Sequence, residues 1–249
     1  MPKFFVKSNQ VKNDKIVIIG EDVNHIKNVL RKNIGNTLEI CDKDNSKNYL
    51  SEIIYMDKDN IECKILKNIE NNNESNIFIN VYQGLPKSDK MELIIQKSVE
   101  LGASKITPVS MKRCVVKLSA KDESKKITRW QKIAEVASKQ CGRNIVPKVD
   151  NVVHIKDICN TIDDYDLVLV AYENEKINKL KYELQKLDNS NEKNLKIAIV
   201  IGPEGGLEPN DVQILKDSGA KVITLGNRIL RTETVALNMI SIINYELEN

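Results

Sequence analysis

Cysteine, histidine and long apolar runs are all scarce in this chain of 249 residues. The five cysteines are an odd number without a CxxC pair, and neither His25 nor His154 lies at metal-ligand spacing from them. We therefore predict buried structural thiols, no metal and no disulfide. No apolar run approaches the length of a membrane span, and the N-terminus lacks the pattern of a secretory signal, so we expect a cytoplasmic protein.

The chain also lacks a strong excess of charge and the common phosphate-binding motifs. Its formal net charge is +3, which permits an RNA partner without requiring one. Neither GxGxxG nor GxxxxGK[ST] occurs, which excludes a dinucleotide or P-loop fingerprint. A hydrophobic content of 41% and a charged content of 29% are typical of a soluble globular protein.

The first 72 residues are rich in short β-type runs separated by polar turns. These runs are residues 4–6, 15–19, 38–41, 49–55 and 61–66. One helix is predicted between them, over residues 22–32, with its apolar face formed by Val23, Ile26, Val29 and Leu30. His25 lies on this helix without a partner acid or thiol, which favours a structural role. The pattern predicts a small barrel that serves in recognition.

Residues 71–76 are polar and rich in asparagine, and they predict a domain boundary between residues 1–72 and 77–249. Beyond it strands alternate with helices, which is typical of an α/β domain with a parallel sheet. The predicted strands are residues 77–83, 106–109, 166–171, 197–201 and 222–225. Residues 187–194 are predicted to form a polar loop.

The helices of this second domain carry their own local signals. Asp89 and Glu92 predict a capping box that opens a helix. Trp130 lies on the apolar face of the next long helix, which favours a core position over base stacking. The last helix, residues 234–247, is apolar on several sides, and we expect a second subunit to cover it.

Two glycine-rich turns follow two successive predicted strands. Gly202-Pro203-Glu204-Gly205-Gly206 follows residues 197–201, and Gly226-Asn227-Arg228 follows residues 222–225. Ligands of open α/β sheets bind beside the carboxyl ends of strands, so the turns predict two walls of one pocket. Glycine turns that serve packing alone are an equally good interpretation of this pattern.

The string IGPEGGL, followed by LGNRILRTETVAL, resembles the signature of the SPOUT (α/β-knot) RNA methyltransferases. Within them the chain resembles the ribosomal RNA small subunit methyltransferase E family, whose members methylate N3 of a uridine. The similarity extends from residue 1 to residue 247 and is also dense at 83–108 and 130–147. It implies an N-terminal PUA-like β-barrel, a C-terminal SPOUT domain tied in a trefoil knot, a homodimer, S-adenosylmethionine as cofactor and small-subunit (16S) ribosomal RNA as partner.

The resemblance also implies roles for particular residues. The cofactor would be bound by Gly202, Pro203, Glu204, Gly205, Gly206, Leu225, Gly226, Ile229, Leu230 and Ala171. Tyr172 and Glu173 extend the last of these walls. Methylation at uracil N3 requires loss of a proton and stabilisation of an anion, and for these demands we predict Arg231 as anion stabiliser and Glu233 as base or orienter, with the Thr232 hydroxyl beside them. Phosphate contacts would come from Lys3, Lys27, Arg31, Lys87, Lys90, Arg113 and Arg143.

Several alternatives stay open at this point. Glu233 could instead cap the start of the last helix, and Arg228 could form a structural ion pair. A SPOUT enzyme that methylates a ribose 2′-hydroxyl is the nearest rival function. A catalytically silent RNA-binding protein with the same fold is a rival from another class.

Overall fold

A computed structural model describes residues 3–70, 73–187 and 194–248. The chain divides into two compact units, of which the first comprises Met1–Glu74 and Ser138–Val146 and the second comprises Ser75–Ala137 and Pro147–Asn249. The return of Ser138–Val146 to the first unit is a feature that the sequence patterns did not predict. Residues 71–72 of the predicted boundary segment and residues 188–193 of the predicted polar loop lie outside the described residues.

The first unit is built on one six-stranded sheet. Its strands are β1 (Lys3–Val6), β2 (Val11–Lys12), β3 (Lys15–Ile19), β4 (Thr37–Asp42), β5 (Lys47–Met56) and β6 (Asn60–Ile69). They pair in the order β1-β4-β5-β6-β3-β2, antiparallel throughout except for β1 beside β4. The two edge strands are not paired with each other among the described residues, so the predicted barrel is a half-barrel.

The helix of this unit is shorter than predicted. Helix α1 (Glu21–Asn24) continues as a single π-helical turn, His25–Val29, and ends where Arg31 adopts a left-handed backbone with φ of +52°. A π turn holds more residues than an α turn, so it rotates later side chains off the apolar face. Val29 is consequently 65% exposed, and its predicted core position is wrong. His25 packs edge-on against the ring of Phe4.

The second unit contains a parallel sheet, as the alternation of strands and helices predicted. Its strands are β7 (Phe78–Gly84), β8 (Lys105–Ser110), β9 (Lys148–Val149), β10 (Val153–His154), β11 (Leu167–Ala171), β12 (Lys196–Ile201) and β13 (Lys221–Ile223). The order is β10-β8-β7-β12-β11-β13, with β9 also paired to β8. Strands β7, β12 and β11 are central, and their apolar side chains are almost completely buried, as in sheets covered on both faces.

Six helices of the described second unit accompany this sheet. They are α2 (Lys90–Glu100), α3 (Ala120–Cys141, which ends in the first unit), α4 (Ile155–Cys159), α5 (Leu180–Leu184), α6 (Pro209–Asp217) and α7 (Thr232–Leu247). Trp130 is buried in the core, as predicted. The predicted capping box is wrong, because the Asp89 side chain makes no cap bond and Glu92 binds the Arg129 guanidinium instead. Within the described residues no helix is long and apolar enough to cross a membrane.

Candidate functional site

A cavity of about 470 Å³ opens at the carboxyl ends of β11 and β12 in the second unit. The turn after β12 and the segment between β13 and α7 form two of its sides, as the glycine turns predicted. Parallel strands direct their carboxyl ends to one sheet edge, which explains why segments distant in sequence meet there. The cavity is lined by residues 171–173, 201–207 and 224–232, with Lys90, Lys176 and Val235.

The ten residues named as cofactor contacts all line this one cavity, and so do Arg231 and Thr232. Glu233 lies next to them at the start of α7, where its side chain is largely buried. The fold therefore brings together, around one cavity, the segments that the family resemblance indicated for cofactor binding and catalysis. Their roles toward a ligand stay predictions.

The glycine turn after β12 is a tight turn closed by a hydrogen bond of 2.9 Å from the Gly206 N–H to the Pro203 carbonyl. A Cβ at Gly202 would lie 2.9 Å from the Gly206 carbonyl carbon and the Leu207 nitrogen, too close for any side chain. Gly206 has a φ of +70°, a conformation that L-residues rarely adopt. The backbone itself is consequently the surface that this turn presents.

Thr232 fixes the turn from the other wall. Its hydroxyl donates to the Gly202 carbonyl at 2.7 Å and accepts from the Gln83 amide nitrogen at 2.8 Å. Both Thr232 and Gln83 are buried. The predicted catalytic hydroxyl is thus engaged in holding the end of β7, the turn after β12 and the start of α7 together.

Lys90 is the centre of a charged triad beside the cavity. Its ammonium lies 3.1 Å from Glu204 and 3.4 Å from Glu233. Glu204 also accepts a hydrogen bond of 3.0 Å from the Lys87 backbone N–H. Burial opposes ionisation of Glu204, but hydrogen bonds from its own backbone N–H, from Lys90 and from the Lys87 N–H outweigh it and hold its pKa below the ordinary value. Lys90 was predicted from the sequence to contact phosphate. Its two carboxylate partners lie more than a hundred residues away in sequence, so no local pattern indicated these ion pairs.

Arg113 supports the glycine turn from behind. Its guanidinium donates to the Gly205 carbonyl at 3.1 Å and to the Glu208 carboxylate at 3.0 Å. The hydrogen bond from Arg113 is the largest cause of a lowered pKa at Glu208. A residue predicted to contact RNA is therefore engaged in an ion pair and a backbone contact within the protein.

Two arginines that line the cavity have no such partner. Arg228 and Arg231 are exposed, and neither forms an ion pair with the described residues. The structural ion pair considered for Arg228 is thus not formed within the part of the chain that the structure describes. Arg231 occupies the N-cap position of α7. Both guanidinium groups are available to an anionic ligand.

The remaining predicted phosphate contacts lie in different environments. Lys3 is 1% exposed, and its ammonium contacts Glu39, Asn144 and the Gly142 carbonyl within the first unit. Arg143 is buried against Glu74, with its guanidinium 2.6 Å from the carboxylate. Neither side chain has the surface position that a phosphate contact requires. The side chains of Lys27, Arg31 and Lys87 are exposed.

No group of three or more His, Cys, Asp or Glu side chains is placed to hold a metal ion among the residues that the structure describes. Three of the cysteines, Cys41, Cys63 and Cys114, are buried, and the other two are partly buried.

Two family models match the chain in consecutive segments. The RNA methyltransferase domain matches residues 73–244 and the RNA methyltransferase PUA domain matches residues 18–66. The first match alone spans more than half of the chain and contains every residue that lines the cavity.

Curated relatives and a solved structure agree with these matches. The chain is 38% identical over 231 residues to ribosomal RNA small subunit methyltransferase E of Bacillus subtilis (strain 168), covering 93% of this chain and 90% of the relative. It is 31% identical over 241 residues to the protein of the same name from Mesomycoplasma hyopneumoniae (strain 232), covering 97% and 98%.

The solved structure is a ribosomal RNA small subunit methyltransferase E from Neisseria gonorrhoeae bound to S-adenosyl methionine. It is 30% identical, with a TM-score of 0.86 and coverage of 98% of this chain and 97% of that one. The α/β fold with a parallel sheet and an N-terminal PUA-like sheet is thus shared over nearly the whole length. The chain belongs to the ribosomal RNA small subunit methyltransferase E family.

Proposed function

We propose that this protein is an S-adenosylmethionine-dependent methyltransferase that methylates N3 of a uridine in small-subunit (16S) ribosomal RNA. The observation that carries the proposal is the cavity at the ends of β11 and β12, with a backbone-lined glycine turn on one side and, on the other, Arg231, which has no ion-pair partner among the described residues. The same assignment is supported by the relatives named ribosomal RNA small subunit methyltransferase E, one of which was solved with S-adenosyl methionine bound.

The residues present suit this cofactor. Small-molecule sites usually have volumes of about 300–1,000 Å³, and the cavity of about 470 Å³ falls within that range. The glycine turn lets a planar base approach the backbone closely, and Gly226, with φ of +108° and open space at its Cβ position, does the same on the second wall. Arg228 is an exposed cation suited to the carboxylate of the cofactor.

The chemistry of the proposed acceptor sets two demands on the chain. Uracil N3 carries a proton and is a poor nucleophile until that proton leaves, so the site must accept a proton and stabilise the resulting anion. When bound, S-adenosylmethionine supplies an electrophilic methyl group. Arg231 is the cation we assign to the anion spread over O2, N3 and O4. Glu233, held by Lys90, is the carboxylate we assign as proton acceptor or orienter.

Thr232 has a different role in this proposal. Both of its hydrogen bonds are made to Gly202 and Gln83, so its hydroxyl acts on the shape of the site and not on the transferred group. It is a positioning residue for the glycine turn. Of the three residues predicted to be catalytic, Arg231 and Glu233 are therefore the two to which we assign catalytic roles.

We further propose a homodimer and a role for the first unit in RNA recognition. Helix α7 buries Ala236, Met239 and Ile243 inside the unit, while Leu237 stays partly exposed and Tyr245 is 85% exposed. A second copy of the chain would cover these apolar side chains. Lys27 and Arg31, and Lys87 of the second unit, are the exposed cations that we retain as phosphate contacts. A ribosomal RNA substrate implies a cytoplasmic enzyme.

The experiment that tests the proposed function is mass spectrometry of nucleosides from small-subunit ribosomal RNA of cells with and without this gene. We expect 3-methyluridine to disappear with the gene and to return when the RNA is incubated with the protein and S-adenosylmethionine. Loss of a 2′-O-methylated nucleoside instead would assign the rival enzyme. If no nucleoside changes and the protein still binds the RNA, a silent binding protein is the better description.

A further inference from the structure

Glu173 brings a carboxylate into the cavity from a third segment, two residues after β11 ends. The side chain lies directly against the glycine turn. A Cβ built on Gly206 would collide with Glu173 Oε1 and would lie 3.2 Å from its Cδ. The carboxylate is therefore packed on the backbone of the turn that follows β12, and Glu173 lines the cavity there.

This carboxylate has no hydrogen-bond or ion-pair partner among the residues that the structure describes. The other carboxylate that lines the cavity, Glu204, is engaged by Lys90 and by the Lys87 backbone N–H. Lys176 is close to Glu173, but its ammonium donates to the Glu173 backbone carbonyl at 2.6 Å. The Glu173 side chain is partly buried, and a ligand that supplies hydrogen-bond donors would provide the partners that the described residues do not.

We propose that Glu173 binds the vicinal hydroxyl groups of the cofactor ribose; this inference rests on the proposed function. The glycine turn is the part of the cavity suited to the adenine base, and the ribose is attached to that base. A carboxylate in contact with Gly206 consequently lies beside the nucleoside. Two oxygens that accept from two adjacent hydroxyls form a geometry often used for ribose, with the acidic residue on a neighbouring strand end.

Two other groups of the cofactor would also suit a carboxylate, namely its α-ammonium group, which donates hydrogen bonds, and its sulfonium, which carries a positive charge without a donor. The two arginines of the cavity, Arg228 and Arg231, form a cationic side on the segment between β13 and α7, whereas the lining lysines Lys90 and Lys176 are engaged by protein carboxylates and by the Glu173 backbone carbonyl. That side suits the carboxylate of the methionine moiety, to which the ammonium is attached. The contact with the glycine turn favours the ribose for Glu173.

The test is calorimetric binding of three ligands to the full-length protein and to Glu173→Ala. S-adenosylhomocysteine lacks the sulfonium charge, 5′-methylthioadenosine lacks the amino acid as well, and 2′,3′-dideoxy-5′-methylthioadenosine also lacks both hydroxyls. We expect Glu173→Ala to lower the affinity for S-adenosylhomocysteine and for 5′-methylthioadenosine by about tenfold each. It should leave the affinity for the dideoxy compound unchanged. Asp163→Asn, an exposed carboxylate before the same strand, should change none of the three affinities.

Each other outcome would overturn the assignment. A loss confined to S-adenosylhomocysteine would indicate the α-ammonium group, and a loss for S-adenosylmethionine, measured as a fourth ligand, with none for these three would indicate the sulfonium. Equal affinities of Glu173→Ala and the unaltered protein would remove Glu173 from the site while leaving the proposed function intact. Failure of the unaltered protein to bind any adenosine ligand would instead refute the proposed cofactor itself.

Discussion

The Thr232 hydroxyl donates a hydrogen bond of 2.7 Å to the carbonyl oxygen of Gly202, and this contact joins the two walls of the cavity. Gln83 donates to the same hydroxyl from the end of β7. Three segments far apart in sequence thus meet at one buried side chain. The shape of the glycine turn depends on a residue of the opposite wall.

Replacing Thr232 with valine tests this dependence. The isosteric change removes both hydrogen bonds and leaves the Gly202 carbonyl and the Gln83 amide without them, so we expect a loss of about 2 kcal/mol in the free energy of unfolding. Binding of S-adenosylmethionine should weaken as the turn loosens. Urea unfolding and calorimetry measure the two effects. Thr232→Ser, which keeps the hydroxyl, is the matched control and should retain most of both properties.

A contrary result for Thr232 is easy to recognise. If Thr232→Val binds the cofactor normally and unfolds normally but loses methyl transfer at saturating cofactor, its hydroxyl acts in the chemical step. The positioning role assigned to it would then be wrong.

Lys90→Gln should destabilise the protein in a pH-dependent way. The pKa of Glu204 lies below its ordinary value, so its contacts stabilise the fold above that ordinary value and cease to do so as the pH falls through the folded-state pKa. Without the Lys90 ammonium the folded-state pKa of Glu204 should rise. The stability deficit of Lys90→Gln should therefore be largest near neutral pH and should shrink toward about pH 3.

Urea unfolding of both proteins at several pH values measures this deficit. Lys97→Gln is a suitable control, since Lys97 lies on the same helix and, among the described residues, forms its ion pair with Glu100 across one turn of a half-exposed surface. A deficit that is constant across pH would mean that Lys90 stabilises the fold by packing and not through the two carboxylates.

The buried thiols should resist alkylation in the folded protein. Burial raises the pKa of Cys41 to about 11 and that of Cys63 to about 12. Since the thiolate is the reactive form, iodoacetamide at mildly alkaline pH should label these two at least about 100-fold more slowly than in urea. Peptide mass spectrometry after timed labelling gives the rates. Rapid labelling of Cys63 before Cys159, which is partly buried, would contradict this order of protection.

Local patterns were sufficient where a local requirement decides the structure. Position 202 requires glycine because backbone atoms of Gly206 and Leu207 occupy the space that a Cβ would need. The glycine in the sequence therefore indicates the turn directly. The buried face of α2 was predictable for the same reason, since Met91, Ile94 and Val99 recur at helical spacing. The pocket followed because parallel strands present their carboxyl ends together.

Contacts between distant residues were not predictable from patterns. Lys3 was expected on the surface, where lysine usually lies, but Asn144 and Gly142 meet its ammonium across about 140 positions of sequence. The single π turn that turns Val29 outward leaves no mark in the spacing of apolar residues. The trefoil knot was implied by the family resemblance alone, because a knot concerns the threading of the chain and not its local conformation.

Arg231→Ala should separate catalysis from binding. As an exposed cation without an ion-pair partner among the described residues, Arg231 can leave the fold unaffected when it is removed, and we expect the free energy of unfolding to stay unchanged. The single-turnover rate at saturating cofactor and RNA should fall by about 10²–10³, the usual cost of losing one group that stabilises an anion.

Arg228 provides the comparison that makes this result specific. It lines the same cavity, is also exposed and lies three residues earlier, so Arg228→Ala removes the same charge from the same segment. We expect Arg228→Ala to reduce the affinity for the cofactor more than it reduces the rate at saturating cofactor, because we assign Arg228 to the cofactor carboxylate. If the two variants lose rate equally, the effect comes from the general positive charge of the cavity. Arg231 would then have no separate part in stabilising the uracil anion.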